Sequence, residues 1–358
     1  MSIMTFLRHT LYSFYDYCAE NIDANDVKFA VIHIPDQIGD AMAVYPVIRA
    51  LEQNTIAHLL IVASTLNKAV FDALELKRTT LTVVSMTMQD NASLSEIRQV
   101  AKSIRAQYGA PDLCIEAMRK KNLKTMVFIS ALRARANYQA VGLTMRCYSP
   151  LCKMASRMDQ TLRAPVPMTW ATLMREAGFS AVEAKYEFPL NEQVLAEVRR
   201  ETEPLGRYIA FNLEGSLAER TFSCSVAQKI IALIHNETDL PIFIVHGPKG
   251  TESAVTLTKS CRNVFRLALS PSLMRSAAVI KDAFLAITPD TSVLHMASAY
   301  NTPCIAIYAD YKTRWPAMQD ISETVVVGKR IDHINMNEFT SALRRILARI
   351  EGRVSASR

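Results

Sequence analysis

No stretch of the 358 residues approaches the ~20 consecutive apolar residues that a membrane-spanning helix requires. A helical integral membrane protein is therefore not expected. The N-terminus has no apolar segment ending in small residues, so a secretory signal is not expected either. The seven cysteines, Cys18, Cys114, Cys147, Cys152, Cys224, Cys261 and Cys304, show no paired spacing. Cys147 and Cys152 lack a nearby histidine, which argues against zinc. An odd set of scattered thiols suits a reducing compartment. Repeats of solenoid length and low-complexity tracts are also missing. The formal net charge is +7. Its clusters (Arg119-Lys120-Lys121 with Lys124; Arg133 and Arg135; Arg146, Lys153 and Arg157; Arg344-Arg345 with Arg349) are not interleaved with aromatics as a nucleic-acid stacking platform would be. An anionic membrane surface or a phosphorylated partner suits the first three clusters, and solvated helix faces are the plain alternative. Arg344, Arg345 and Arg349 fit the polar side of a C-terminal helix.

Half of the residues are hydrophobic, and the length allows two domains with separate cores. Apolar runs at 28–34, 58–63, 80–85 and 112–115 read as strands with helices between them. That alternation predicts a parallel sheet covered on both faces. The alternation lapses over a proline-bearing stretch from Ala164 to Pro189. It resumes with Tyr208–Asn212, Pro241–His246, Ala283–Thr288 and Cys304–Tyr308. Ahead of the first strand, residues 3–20 carry Phe6, Leu7, Leu11, Tyr12, Phe14 and Tyr15 at amphipathic helical spacing. Such a helix packs on the protein or lies on a membrane.

Two strand-to-helix turns carry candidate chemistry. In the first, Phe29–Ile34 runs into Pro35-Asp36-Gln37-Ile38-Gly39-Asp40 and then a helical pattern from Ala41 to Leu51. Gly39 permits close backbone approach or positive φ. Asp40 stands at the mouth of the helix, as a base or simply as an N-cap, and Asp36 reads as a turn cap. In the second, the strand Ala283–Thr288 leads into Asp290-Thr291-Ser292 and a helix from Val293 to Tyr300. The unpaired N–H groups and positive dipole end of such a helix attract anions. His295 falls about one turn further on. An ordinary capped helix with a partly buried histidine is the bland reading.

Taken together, the two turns resemble glycosyltransferase family 9, the lipopolysaccharide heptosyltransferases. The family pairs an apolar strand, Gly-Asp and a later Pro, here Gly39-Asp40 and Pro46, with Asp-Thr-Gly-x-x-His-x-x-x-Ala-x-x-x-Pro. The latter stands here as Asp290-Thr291-Ser292-x-x-His295-x-x-x-Ala299-x-x-x-Pro303. The resemblance spans roughly residues 28 to 345. It implies an α/β fold of the GT-B class, two Rossmann-like domains with parallel sheets facing a central cleft. The expected organisation is an N-terminal helical extension over 1–25, an acceptor domain over 26–185, a linker over 186–205 and a nucleotide-sugar domain over 206–350. The implied donor is ADP-L-glycero-D-manno-heptose, and the acceptor a lipid A–core glycolipid at the cytoplasmic face of the inner membrane.

Inverting transfer needs a base for the acceptor hydroxyl and donors for the leaving diphosphate. Asp40 is the expected base. Asp290, Thr291, Ser292 and His295 are expected at the donor, Asp290 by orienting the turn or His295. Ser292 replaces the usual Gly. In the loop Leu213–Arg220, Ser216 and Arg220 match the family's hydroxyl and basic residues by type, although Thr221-Phe222-Ser223 stands where Trp-Pro is usual. Arg220 is thus a diphosphate clamp or a surface arginine. Glu252, in a Gly-x-x-x-(Asp/Glu)-Glu-like loop, is expected to accept from a ribose hydroxyl. Gly39, Arg119, Lys120 and Arg133 are expected to contact the acceptor. No cofactor or obligatory metal is expected, since no Asp-x-Asp occurs in a suitable context, and Arg220, His295 and helix N-termini carry the neutralisation. Trp315 reads as packing. The alternatives are a catalytically degenerate binder of nucleotide sugar or glycolipid, and a nucleotide-sugar epimerase of the same fold.

Overall fold

The computed structural model describes residues 10–118, 122–141, 145–215, 217–309 and 313–356. The chain divides into two compact units, Met1–Tyr186 and Glu187–Arg358.

The first unit is built on a five-stranded sheet: β1 (Phe29–Ile34), β2 (His58–Ser64), β3 (Thr80–Met86), β4 (Leu113–Glu116) and β5 (Ala136–Gln139). Its spatial order is β3-β2-β1-β4-β5, and every neighbouring pair is parallel. Runs such as Leu59-Leu60-Ile61-Val62 are wholly buried because helices cover both faces of the sheet. The chain order reverses direction between β1 and β4. In open α/β sheets such a switch point, at the carboxyl ends of the strands, leaves a crevice for ligands.

The second unit carries β6 (Ile209–Asn212), β7 (Ile242–Val245), β8 (Val264–Arg266), β9 (Leu285–Pro289), β10 (Cys304–Tyr308) and β11 (Ser322–Val326). Here the order is β11-β10-β9-β6-β7-β8, again all parallel. The switch point lies between β6 and β9. Phe211, Ile230, Ile244, Leu257, Ile287, Ile307, Phe339 and Ile346 fill its core.

Three strands escape the apolar pattern. β5, Ala-Asn-Tyr-Gln, is buried throughout but half polar, and its polar groups bond locally. Asn137 Nδ2 donates to the carbonyl of Cys147, and Gln139 Oε1 accepts from the N–H of Val141. β8 has three residues, and both β8 and β11 lie at sheet edges with partly exposed faces. The single helix expected from Ala41 to Leu51 is two, Ile38–Ala43 and Tyr45–Gln53, divided at Val44 with Pro46 in the first turn of the second.

The N-terminal helix also ends earlier than expected. Residues 1–9 fall outside the described part, the helical run covers 10–13, and from Asp16 the chain is irregular. It is tied down there by backbone bonds from Ala19 to Arg146 and from Glu20 to Arg135, and by the Tyr17 hydroxyl donating to the carbonyl of Ala134. The 186–205 stretch, expected as a linker, contains the helix Glu192–Thr202. That helix is joined to the helix Leu273–Asp282 by a bidentate Arg199–Asp282 pair at 2.6 and 3.0 Å. No helix among the described residues is long and apolar enough to cross a membrane.

Candidate functional site

In the second unit, the loops after β6 and β9 meet over the switch point. Asn212, the last residue of β6, donates through Nδ2 to Thr288 Oγ1 (3.0 Å), Thr291 Oγ1 (3.2 Å) and the carbonyl of Glu214 (3.0 Å). Thr291 is the N-cap of the helix Ser292–Ala299 and accepts from the N–H of Val293 at 3.3 Å. Its carbonyl accepts from the N–H of Leu294. The Thr291 hydroxyl is thus engaged in holding the turn. The donors this turn offers an anion are the backbone N–H and hydroxyl of Ser292, at the positive end of the helix. Ser292 lies inside the helix, where a Cβ is accommodated without strain.

Arg220 closes the site from the other loop. Its Nη1 donates to the carbonyl of Asp290 at 2.9 Å and lies 3.5 Å from the Asp290 carboxylate. Burial raises the Asp290 carboxyl above its ordinary range, and Arg220 opposes that rise. Asp290 therefore seats Arg220, where sequence reasoning has it orienting the turn or His295. Phe222 and Ser223 account for the missing Trp-Pro: Phe222 is buried against Phe211 at 5.5 Å between ring centroids, and Ser223 caps the next helix.

His295 is 4% exposed, with its ring 5.3 Å from that of Trp315. Burial, with Arg220 adding, pushes its pKa down to about 3. That direction favours the neutral imidazole, and Arg220 is the cation held beside the start of the helix Ser292–Ala299. Trp315 packs as expected.

Gly215 is squeezed between the two loops. A Cβ there would stand 2.8 Å from Thr291 Cγ2 and 2.9 Å from Arg220 Cβ, neither of which is a flexible end. Gly215→Ala is therefore expected to lower stability by about 1–3 kcal/mol and to part Arg220 from Asp290. Urea unfolding measures the first effect, and a loss under ~0.5 kcal/mol would show that the loops are not tightly apposed.

In the first unit, the loops after β1 and β4 flank the other switch point. Asp40 is the third residue of the helix Ile38–Ala43 and is partly exposed, while the N-cap position belongs to Gln37. The N-cap reading of Asp40 is thereby replaced by a first-turn position, where a carboxylate is favoured by the helix dipole. Gly39 is helical, so positive φ is not what it supplies. Asp36 closes the turn: its carbonyl accepts from Ser64 Oγ at 2.8 Å and Asn67 Nδ2 at 3.1 Å.

Beneath this turn lies a buried pair that sequence reasoning missed. His33 and Glu116, register partners on β1 and β4, are both 0% exposed. His33 Nδ1 donates to the Glu116 carboxylate, 3.0 and 2.9 Å from its two oxygens, and the His33 ring stacks on Phe128 at 3.6 Å. Glu116 also accepts from the N–H of Met118 at 3.2 Å. Burial raises the Glu116 carboxyl, His33 and Met118 oppose the rise, and Asp36 adds to it.

Arg119, Lys120 and Ser216 lie outside the described residues. Arg133 is at the wrong edge for an acceptor contact. It ends the helix Leu123–Leu132 with φ 56°, just before β5 begins, and its guanidinium lies over the Tyr17 ring at 4.7 Å. That helix runs back from the carboxyl end of β4 to the amino end of β5, carrying Arg133 to the edge opposite Asp40. Other basic side chains have partners. Arg135 meets Glu20 and Asp112, Arg146 meets Asp16, and Lys124 donates to the carbonyls of Gln89 and Asp90. On the C-terminal helix, Arg344 pairs with Glu237, and Arg345 and Arg349 with Glu323. A cavity of about 380 Å³ lined by Arg207, Glu237, Phe284 and Arg344 lies at the amino edge of the second sheet. Glu252 is exposed in the first turn of the helix Thr251–Ser260.

The model of glycosyltransferase family 9 (heptosyltransferase) matches residues 146–341, more than half of the chain and all of the Arg220–Asp290–Thr291 site. The chain belongs to glycosyltransferase family 9. This family 9 glycosyltransferase is 64% identical over 234 residues to the uncharacterized protein YeeL of Escherichia coli K12, a match covering 65% of the chain and all of YeeL. Among solved structures, it resembles a family 9 glycosyl transferase from Veillonella parvula (TM-score 0.69, 17% identity, 92% of this chain and 99% of that one). It also resembles the E. coli heptosyltransferase WaaC with ADP-2-deoxy-2-fluoro heptose (TM-score 0.66, 16% identity, 88% and 99%). At these identities the likeness is one of fold: two parallel-sheet α/β domains of the GT-B class. Asn212, Thr288 and Glu214 were not singled out from the sequence. Their signal was polar residues at the carboxyl ends of otherwise apolar central strands.

Proposed function

We propose that this family 9 transferase moves a heptose from ADP-L-glycero-D-manno-heptose to a hydroxyl of a lipopolysaccharide core glycolipid, with inversion. The observation that carries the reading is the Arg220–Asp290 bridge beside the Thr291 cap. It sets a cation against a helix N-terminus at the switch point of the second unit, an arrangement suited to a leaving diphosphate. Family membership supports it, as does the fold likeness to WaaC, which has been solved with an ADP-heptose analogue.

In this scheme Arg220, Ser292 and the N-terminus of the helix Ser292–Ala299 hold the diphosphate, joined by Ser216. His295 serves as a neutral hydrogen-bonding group. Asp40 takes the proton of the attacking acceptor hydroxyl as the bond from the anomeric carbon to the donor phosphate oxygen breaks. ADP leaves carrying the electron pair. Gly39, Arg119 and Lys120 belong to the acceptor side, whose phosphates and acidic sugars suit basic residues. The exposed Leu11 and Phe14 support contact with the cytoplasmic face of the inner membrane.

Calorimetric titration with ADP, ADP-heptose and UDP-sugars tests the donor assignment. ADP and ADP-heptose are expected to bind in preference to UDP-sugars. Arg220→Ala is expected to weaken ADP binding by about 10–100-fold, the worth of one charge-assisted contact. Absence of nucleotide binding, or equal binding to the variant, rejects the assignment.

A further inference from the structure

We infer that Asn67 is a positioning residue for the transfer, holding the turn from which Asp40 is presented. The inference rests on the proposed function, in that it takes Asp40 to be the base. Where β1 ends at Ile34 the chain leaves the sheet, and the ladder stops supplying donors to its carbonyls. The carbonyl of Pro35 accepts from the N–H of Gln89 at 2.9 Å. Those of Ile34, Asp36 and Gln37 are all met by one side chain, Asn67, whose Nδ2 donates to them at 2.8, 3.1 and 3.3 Å. Asn67 is itself fixed. It follows the last residue of β2 by three positions and is 0% exposed. Its Oδ1 accepts from the N–H of Ser64 at 2.8 Å, and its own N–H donates to Ser64 Oγ at 3.0 Å. Reversing the amide would set its oxygen against three carbonyl oxygens, so only one orientation satisfies it. Ser64 Oγ in turn donates to the carbonyl of Asp36 at 2.8 Å. The end of β2 thus grips the turn after β1 through one amide and one hydroxyl.

The helix beyond the turn shows what this grip does. Ile38–Ala43 has six residues, too few to be stable alone, and its N-cap, Gln37, makes no capping bond through its side chain. Its start is therefore held from outside, by Asn67 at the Asp36 and Gln37 carbonyls. Asp40 stands one helical turn on from Gln37, so the direction of its carboxylate follows the entry angle that these bonds impose. A fully buried Asn67 touches no substrate. It acts through Asp40, and a reacting group displaced by ~1 Å can lose about 100-fold in rate.

The test measures single-turnover transfer from ADP-heptose to the core glycolipid by the full chain, Asn67→Ala, Asp40→Asn and the double variant. Calorimetry follows ADP affinity, and thermal unfolding sets a temperature at which each protein is folded. Asn67→Ala is expected to slow transfer by about 10–100-fold with ADP affinity unchanged. Added to Asp40→Asn, it is expected to slow transfer by no more than about two-fold further, because a missing base cannot also be misplaced. An asparagine that only supports the fold lowers the unfolding temperature and leaves the rate per folded molecule as it was. That result overturns the inference, as do losses that multiply in the double variant. Should Asn67→Ala not fold, Ser64→Ala carries the test, since it removes only the hydroxyl from the same grip. It is expected to slow transfer severalfold, again only where Asp40 is present, and an unchanged rate overturns the inference. Failure confined to these variants leaves the transfer reading standing, whereas a full chain that transfers no heptose overturns both.

Discussion

Asp40→Asn is expected to slow sugar transfer by about 10²–10⁴-fold, the usual worth of a positioned general base, while leaving ADP affinity unchanged. The amide has the shape of the carboxylate and cannot accept the acceptor's proton. Because Asp40 occupies the first turn of the helix Ile38–Ala43, losing its charge also forfeits a favourable dipole interaction of about 0.3–1 kcal/mol. That is too small to unfold the unit. Single-turnover transfer with saturating donor separates chemistry from binding. A variant within ten-fold of the parent rate would remove Asp40 from the mechanism, and the base would have to be sought elsewhere.

The second large effect concerns His33 and Glu116. Alanine at either position alone is expected to destabilise the first unit by about 3–5 kcal/mol, because it leaves the other partner buried without its bond. The double replacement His33→Leu/Glu116→Leu is expected to lose far less than the sum, since two apolar groups of similar volume need no partner. Urea unfolding of the two single variants and the double variant measures the coupling. Additive losses would mean that the 2.9 and 3.0 Å contacts carry no energy. Where the double variant folds, its transfer rate reports whether the pair also orients the Asp40 turn, which leaves β1 directly after it.

Much of this fold could be read from the chain. Buried parallel strands are nearly pure apolar runs, and β1, β2, β4, β6, β7, β9 and β10 follow that rule, while β3 is a half-exposed edge strand with Thr and Ser among its apolar residues. β5 did not, because Asn137 and Gln139 bond to Cys147 and Val141, partners that only the folded chain brings to them. β8 and β11 are short or half-exposed edge strands. In the candidate site, Asp290-Thr291-Ser292 was legible as a helix start because the strand-turn-helix pattern fixes such a turn, whereas the bond from Arg220 to the Asp290 carbonyl was not. Arg133 was misplaced because charge clustering says nothing about which end of a helix reaches which edge of a sheet. His33 was hidden by its setting, a single polar residue in an apolar strand whose partner stands 83 positions away.

The placement of Arg133 has a practical side. It stands exposed at a helix end, on the edge of the first sheet away from Asp40, with a ring contact to Tyr17. A cysteine installed there would carry a fluorescent reporter or an immobilising tether at an exposed position. Kinetic traces recorded from such a probe would follow the chain from the edge of the first sheet away from Asp40.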